Sequence, residues 1–273
     1  MTDSEVSLKI IVPIKQVPES SNVKMDPETG TVIRSGIETV VNPLDLYALE
    51  TALRIKDHIE GTTVTAVSMG PPQAMKVLKE AVAMGCDNAV LVSDKKFGGA
   101  DTWATSYTLS EAIKKTGAFD LVICGERATD GDTAQVGPGI AAWLDLPLAT
   151  YVSRIDGIEK DRIYVERMVE EGYQLLSLPF PCLLTVVKEV ATPRLPTLRG
   201  KIRSKEMNIP VYSSENMELN PAYLGLKGSP TRVVKIDTPK VTRGGKVVQV
   251  KDDVSLKSAV DELVSFLSEK GII

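Results

Sequence analysis

The feature that most constrains this chain is a repeated alternation in its first half. Short apolar runs at 8–13, 63–68, 89–92 and 119–124 are separated by stretches in which apolar residues recur at helical spacing. Each run is strand-length and built mostly from Val, Ile, Leu and Ala, the pattern of a strand buried on both faces. The stretches between them carry helix punctuation. Asn42 stands before Pro43 as a helix cap, and Asp45 supports the positive end of the dipole. Ala48, Ala52, Ile55 and Ile59 then form one face. Gly61, Gly85 and Gly117 each stop a helix, and Asp101 is placed to cap the third. Strand–helix alternation at this spacing predicts an α/β fold: a doubly wound, mostly parallel, Rossmann-like nucleotide-binding sheet. Such sheets bind ligands at the C-terminal strand ends, near the switch point. That selects the loops after Pro13, after Ser68 and from Gly125.

The last of these loops is the most informative. Residues 125–147 read GERATDGDTAQVGPGIAAWLDLP, following Phe119–Cys124 and leading into an apolar helix. Strand, polar glycine-containing loop and helix mouth form an anion site, because free N–H groups and the dipole face the ligand. The expected site runs through Ala128, Thr129, Asp130, Gly131, Asp132, Thr133, Ala134, Gln135, Val136, Gly137, Pro138 and Gly139. Thr129, Thr133 and Gln135 offer donors. Gly131, Gly137 and Gly139 are expected to admit a ligand close to the backbone. Pro138 fits only the first turn, so the helix begins just before it. Asp130 and Asp132 would repel a phosphate if they faced it. They are expected to cap N–H groups, hold ribose hydroxyls or shape the loop.

Other functions are excluded by composition. A net charge of −4 gives no bulk reason to bind nucleic acid. No apolar run approaches the ~20 residues needed to cross a bilayer. The start, MTDSEVS, is neither a signal peptide nor an Arg-rich transit peptide, so a cytoplasmic protein is expected. Cys86, Cys124 and Cys182 are odd in number and unspaced, which argues for reduced core thiols and against a zinc site. His58, the single histidine, lies in a charged helix end and reads as a solvated residue. No catalytic dyad or triad is available, so any chemistry must come from a bound cofactor.

The second half reads differently. Tyr151–Ile155 and Arg162–Arg167 alternate like antiparallel strands, and Pro181–Val187 is a strand that can join the main sheet. Residues 22–41 read as a hairpin-like excursion, with Thr31–Arg34 as the return strand. The expected division is a nucleotide-binding domain at 1–225, then a linker and helical arm at 226–273. The arm ends in a helix over 253–270 with Val254, Leu256, Val260, Leu263, Val264 and Leu267 on one face. That face packs either on its own domain or on a partner. Arg194, Arg199, Lys201, Arg203 and Lys205 form a cationic run with no acidic residue, either a solvated loop or a contact surface.

DGDTAQVGP at 130–138 resembles the nucleotide loop of electron-transfer flavoprotein β subunits, most of all the flavin-bifurcating branch. Three further stretches carry the resemblance: VPIKQVPES at 12–20, NPLDLYALETALRIKD at 42–57 and PRLPTLRGKIRSK at 193–205. The resemblance implies that the loop holds the phosphates of FAD, or AMP as the alternative. It places Pro13 and Lys15 at the adenine and ribose, and Asn42, Pro43, Leu44, Asp45 and Met69 in further nucleotide contacts. Lys15 reads equally as a solvated charge and Met69 equally as core. In a heterodimer with an α subunit, NADH would then supply electrons that pass to an acceptor flavin dehydrogenase or reductase and to ferredoxin or flavodoxin. The cationic run would become a recognition loop with Leu198 as its apolar anchor, and the C-terminal arm would dock on the α subunit. The same sheet without redox chemistry, a nucleotide-binding sensor, is the reading from another class.

Overall fold

The computed structural model describes residues 6–19, 38–232 and 245–273. It divides into two compact units, Met1–Arg232 and Val233–Ile273. Of the expected excursion at 22–41, the turn at 26–30 and the return strand at 31–34 lie outside the described residues.

In the first unit, the chain runs β1 (Lys9–Pro13), β2 (Gln16–Pro18), β3 (Thr39–Val41), α1 (Pro43–His58), β4 (Thr63–Met69), α2 (Met75–Met84), β5 (Asn88–Val92), α3 (Thr102–Thr116), β6 (Leu121–Gly125) and α4 (Val136–Leu144). It continues through β7 (Leu148–Ile158), β8 (Arg162–Val169), β9 (Gly172–Pro179), β10 (Cys182–Val186), α5 (Leu198–Glu206), β11 (Val211–Tyr212) and α6 (Gly225–Gly228). Nine strands form one sheet in the order β11-β5-β4-β1-β6-β10-β7-β8-β9. Strands β11 to β7 pair in parallel, whereas β8 and β9 add antiparallel at one edge. The short β2–β3 ladder is separate. From β1 the chain winds outward to β4 and β5, then returns to β6 on the other side. The switch point therefore lies between β1 and β6, and their C-terminal ends open a crevice there.

The doubly wound character follows from residue alternation in β1. Ile10 and Val12 join a core that includes Leu49 and Leu53 of α1 and Val77 and Leu78 of α2. Ile11 points the other way, into a core with Ile113 of α3 and Ile140 of α4. Each buried Leu or Ile contributes about 1.5–3 kcal/mol relative to exposure, so neither helical layer can be peeled away cheaply. β10 enters the parallel sheet between β6 and β7, as its unbroken apolar run allows. β9 was not anticipated. Gly172-Tyr-Gln-Leu-Leu-Ser-Leu-Pro179 exposes Tyr173 and Leu175 but buries Leu178 in the core, and it pairs along its length with β8 at the sheet edge.

All three cysteines are free and buried. His58 is exposed, with Nδ1 2.7 Å from the Arg54 carbonyl. In the second unit, α7 (Asp253–Glu269) starts with a capping box in which the Asp252 carboxylate accepts from the Ser255 N–H at 2.7 Å. No residue of α7 is buried. Among the described residues no helix is long and apolar enough to cross a membrane.

Candidate functional site

A cavity of about 850 Å³ opens at the switch point. Its walls come from four strand ends. Pro13, Ile14 and Lys15 follow β1, and Met69 to Pro72 follow β4. Residues between Ser93 and Thr102 follow β5, and residues between Cys124 and Gly137 follow β6. The volume lies at the upper end of the range usual for cofactor sites.

The loop after β6 is built by local constraints. Ala128 C=O accepts from the Gly131 and Asp132 N–H groups at 3.3 and 2.8 Å, closing a tight turn. Asp132 and Ala134 both hold φ near +54°, the left-handed region that costs a non-glycine residue about 1 kcal/mol. Ala134 is followed by Gln135 in right-handed conformation and then by the mouth of α4. Such alternation turns successive N–H groups toward one side and makes an anion-binding concavity. The first turn of α4 adds its unpaired donors and dipole, and Val136 and Gly137 line the cavity.

Asn42 plays a part different from the expected helix cap. Its side chain makes no capping hydrogen bond. Instead its Nδ2 donates to the Arg127 carbonyl at 2.9 Å and its Oδ1 accepts from the Thr129 N–H at 3.1 Å. Fully buried, it clamps the entering limb of the loop at Arg127 and Thr129. A propensity argument cannot see this role, because it depends on a segment more than eighty residues away.

Charge is matched within the site. Lys15 Nζ donates to both oxygens of Asp130 at 2.6 and 2.8 Å. Arg127 pairs with Asp132 at 2.5 Å and with Glu126. The two loop aspartates therefore turn toward cations that flank the cavity. Asp45 sits beneath them, 6% exposed, and accepts from the Lys15 N–H at 2.7 Å. Burial pushes its carboxyl up to about 7, against hydrogen bonds from Asn42 and Lys15 and the Lys15 charge; the neighbouring Asp130 charge raises it further.

The glycines divide by what they face. A Cβ on Gly131 would meet nothing within 4 Å, so this position is open. On Gly137 it would sit 2.7 Å from Thr185 Cγ2, and on Gly139 2.6 Å from Ser106 Oγ. These two glycines let α4 close on β10 and α3. The expected role of admitting a ligand does not describe the side on which their missing Cβ lies. Gly125, unremarked in the sequence, would collide with Asp45 and the Leu44 carbonyl. Only glycine there lets the start of α1 approach the end of β6.

Of the expected residues, Pro13, Lys15, Asp45, Met69, Ala128, Gly131, Thr133, Ala134, Gln135, Val136 and Gly137 line the cavity. Asn42, Pro43, Leu44, Thr129, Asp130, Asp132, Pro138 and Gly139 stand around or behind it. Met69 is both core and lining, packed against the α3–α4 layer. The wall after β5, with Asp94, Phe97, Gly98 and Asp101, was missed. Its signal was position alone: it too follows a parallel strand's C-terminal end.

The cationic run is a helix where a loop was expected. Thr197 caps α5 by accepting from the Gly200 N–H at 3.0 Å, and Gly200 lies against the Ala83 carbonyl. Arg194 is committed inward, donating to Glu50 at 2.8 Å and to Asp57 at 2.7 Å. Arg203 donates to the carbonyls of Val82 and Cys86. Arg194 and Arg203 thus tie the segment to α1 and α2, while Arg203 stays exposed and Arg194 half-buried. Leu198 is 77% exposed, beside exposed Arg199, Lys201 and Lys205.

Comparison with known proteins adds to this geometry. Residues 29–215 match the electron transfer flavoprotein domain. The chain is 45% identical over 272 residues to electron transfer flavoprotein subunit beta of Megasphaera elsdenii, covering 97% of this chain and all of that protein. The chain belongs to the electron transfer flavoprotein family. It is also 46% identical to the caffeyl-CoA reductase–Etf complex subunit CarD of Acetobacterium woodii, and 41% identical to acryloyl-CoA reductase electron transfer subunit gamma of Anaerotignum propionicum. In each case 97% of the chain and the whole of the relative are covered. The mostly parallel α/β sheet is the fold expected of this family.

Proposed function

We propose that this chain is the β subunit of a heterodimeric electron-transfer flavoprotein and that its cavity holds FAD. The observation that carries the reading is the extent of the cavity. Its lining continues past the phosphate loop to residues 93–102, giving about 850 Å³, more than AMP would fill. The residues fit such a group. The mouth of α4 and the concavity at Ala134 and Gln135 would take the phosphates, with the open face of Gly131 beside them. Lys15 would meet the adenylate half. Met69, Phe97 and Leu109 supply apolar wall for rings.

Bound there, a flavin supplies hydride acceptance and one-electron transfer. The chain's own contribution is to bind, orient and electrostatically tune it. Asp45 would contribute to that tuning, since it lines the cavity and burial raises its carboxyl to about 7. Within the αβ complex the expected donor is NADH, and oxidation of NADH belongs to the complex and not to this chain alone. Bifurcation to ferredoxin or flavodoxin and to an acceptor dehydrogenase is the finer reading, supported by likeness to CarD and the Asp130-Gly131-Asp132 loop. We assign the protein to the cytoplasm, Leu198 with its exposed cations to acceptor contact, and the C-terminal arm to the α subunit.

The test is nucleotide content of the complex purified with its α subunit, by extraction and chromatography. Two FAD and no AMP per heterodimer are expected. One FAD with one AMP would reduce the chain to a simple carrier subunit, and complete absence of flavin from an assembled complex would leave only a nucleotide-binding module.

A further inference from the structure

The cavity wall after β5 has little structure of its own. Between Ser93 and Thr102 it contains a single short turn, Lys95–Phe97. A segment more than a hundred residues later holds it from outside. Ser214 donates to Asp94 from its N–H at 2.9 Å and from its hydroxyl at 2.6 Å. The Leu226 N–H donates to the Gly98 carbonyl at 3.0 Å. Ser229 Oγ accepts from the Asp101 N–H at 2.8 Å. Thr231 then donates to the Asp101 carboxylate from both N–H and Oγ1, at 2.9 and 2.7 Å.

Asp101 is the centre of this arrangement. Its other carboxylate oxygen caps α3 by accepting from the Ala104 N–H at 3.1 Å. The next residue, Thr102, donates to Gln135 Oε1 at 2.8 Å. Gln135 is the N-cap of α4 and ends the nucleotide loop. One hydrogen-bonded path thus runs from Thr231 through Asp101 and the start of α3 to the loop itself. Thr231 also stands one residue before the first unit ends at Arg232.

We propose that Thr231 is a positioning residue for the cavity: by holding Asp101 it fixes the start of α3 and, through Thr102, the nucleotide loop. This rests on the reading of the cavity as a nucleotide site. If the bonds act in series, occupancy of the cavity and the hold on Thr231 are linked, and the linkage is reciprocal. Burial opposes ionisation of Asp101, yet the hydrogen bonds from Thr231 and Ala104 outweigh it and keep its pKa below the ordinary carboxylate value.

The test uses the full-length chain assembled with its α subunit, following hydrogen exchange as FAD is titrated. The readout is the FAD concentration that protects residues 126–139. Thr231→Val, which removes the hydroxyl donor and keeps the shape, is expected to raise that concentration about fivefold, the scale of a modest coupling. Thr231→Ser, which restores the donor, is expected to behave as wild type, and FAD is expected to slow exchange at residues 229–231. A purely structural role would shift the unfolding midpoint and leave that last effect absent. Wild-type FAD response in Thr231→Val, or exchange at 229–231 indifferent to FAD, overturns the inference. If neither FAD nor AMP protects 126–139 in the wild type, the nucleotide reading itself fails and takes this inference with it.

Discussion

Replacing Asp45 with Asn tests whether the carboxyl beneath the loop after β6 is held near neutrality by burial. Its folded-state pKa is about 7 against an ordinary 3.8. A raised carboxyl favours the folded state while protonated. Its contribution is complete below pH 3.8 and is lost as pH rises through 7. The whole linkage corresponds to about 4 kcal/mol, and the part lost between pH 5 and pH 8 to about 2.5 kcal/mol. Asn keeps an acceptor for the Lys15 N–H and cannot ionise. Urea unfolding of both proteins at pH 5 and pH 8 isolates this group, since other titrations are common to the pair. Relative to wild type, Asp45→Asn is expected to gain about 2.5 kcal/mol on going from pH 5 to pH 8. A difference between the two proteins that stays constant over that range would refute the reasoning and mean that Lys15 and Asn42 compensate the buried charge fully.

Four further perturbations probe the site and its surroundings. Gly137→Ala puts a methyl 2.7 Å from Thr185 Cγ2, and overpacking is expected to cost about 1–2 kcal/mol despite the better helix propensity of Ala. Adding Thr185→Ser removes the opposing methyl and should recover most of that loss in a double-mutant denaturation cycle. Arg194→Ala leaves Glu50, 4% exposed, without its main partner, and is expected to cost about 3 kcal/mol in chemical unfolding. By contrast, Lys201→Ala on the exposed side of α5 should leave stability within about 0.5 kcal/mol and alter only association with an acceptor, read from kon against ionic strength. Asn42→Ala removes both loop clamps. It is expected to weaken FAD binding about tenfold, roughly 1.4 kcal/mol for two lost hydrogen bonds, as measured by equilibrium titration of the complex.

Much of this protein is determined by sequence acting locally. The apolar runs at 8–13, 63–68, 89–92 and 119–124 can be satisfied only by a sheet covered on both faces, and Gly85 and Gly117 end their helices because only glycine takes those positive φ values without strain. The loop from 125 to 139 stands out because glycines, hydroxyls and an amide cluster between an apolar strand and a helix start, where N–H groups lack intrahelical partners. Tertiary structure decided the rest. Asn42 reads as a helix cap until Arg127 and Thr129 arrive beside it. Arg194 reads as a surface cation until Glu50 and Asp57 enclose it. Gly137 lines the cavity as expected, but that it and Gly139 also admit β10 and α3 into the space a Cβ would need is not legible in the sequence. The wall at 93–102 carries no motif, since its shape is imposed by Ser214, Leu226, Ser229 and Thr231. Local propensity and periodicity report bonds made within a turn or two of chain. These roles belong to hydrogen bonds and contacts between residues tens to more than a hundred positions apart, which exist only once the sheet has brought the strand ends together.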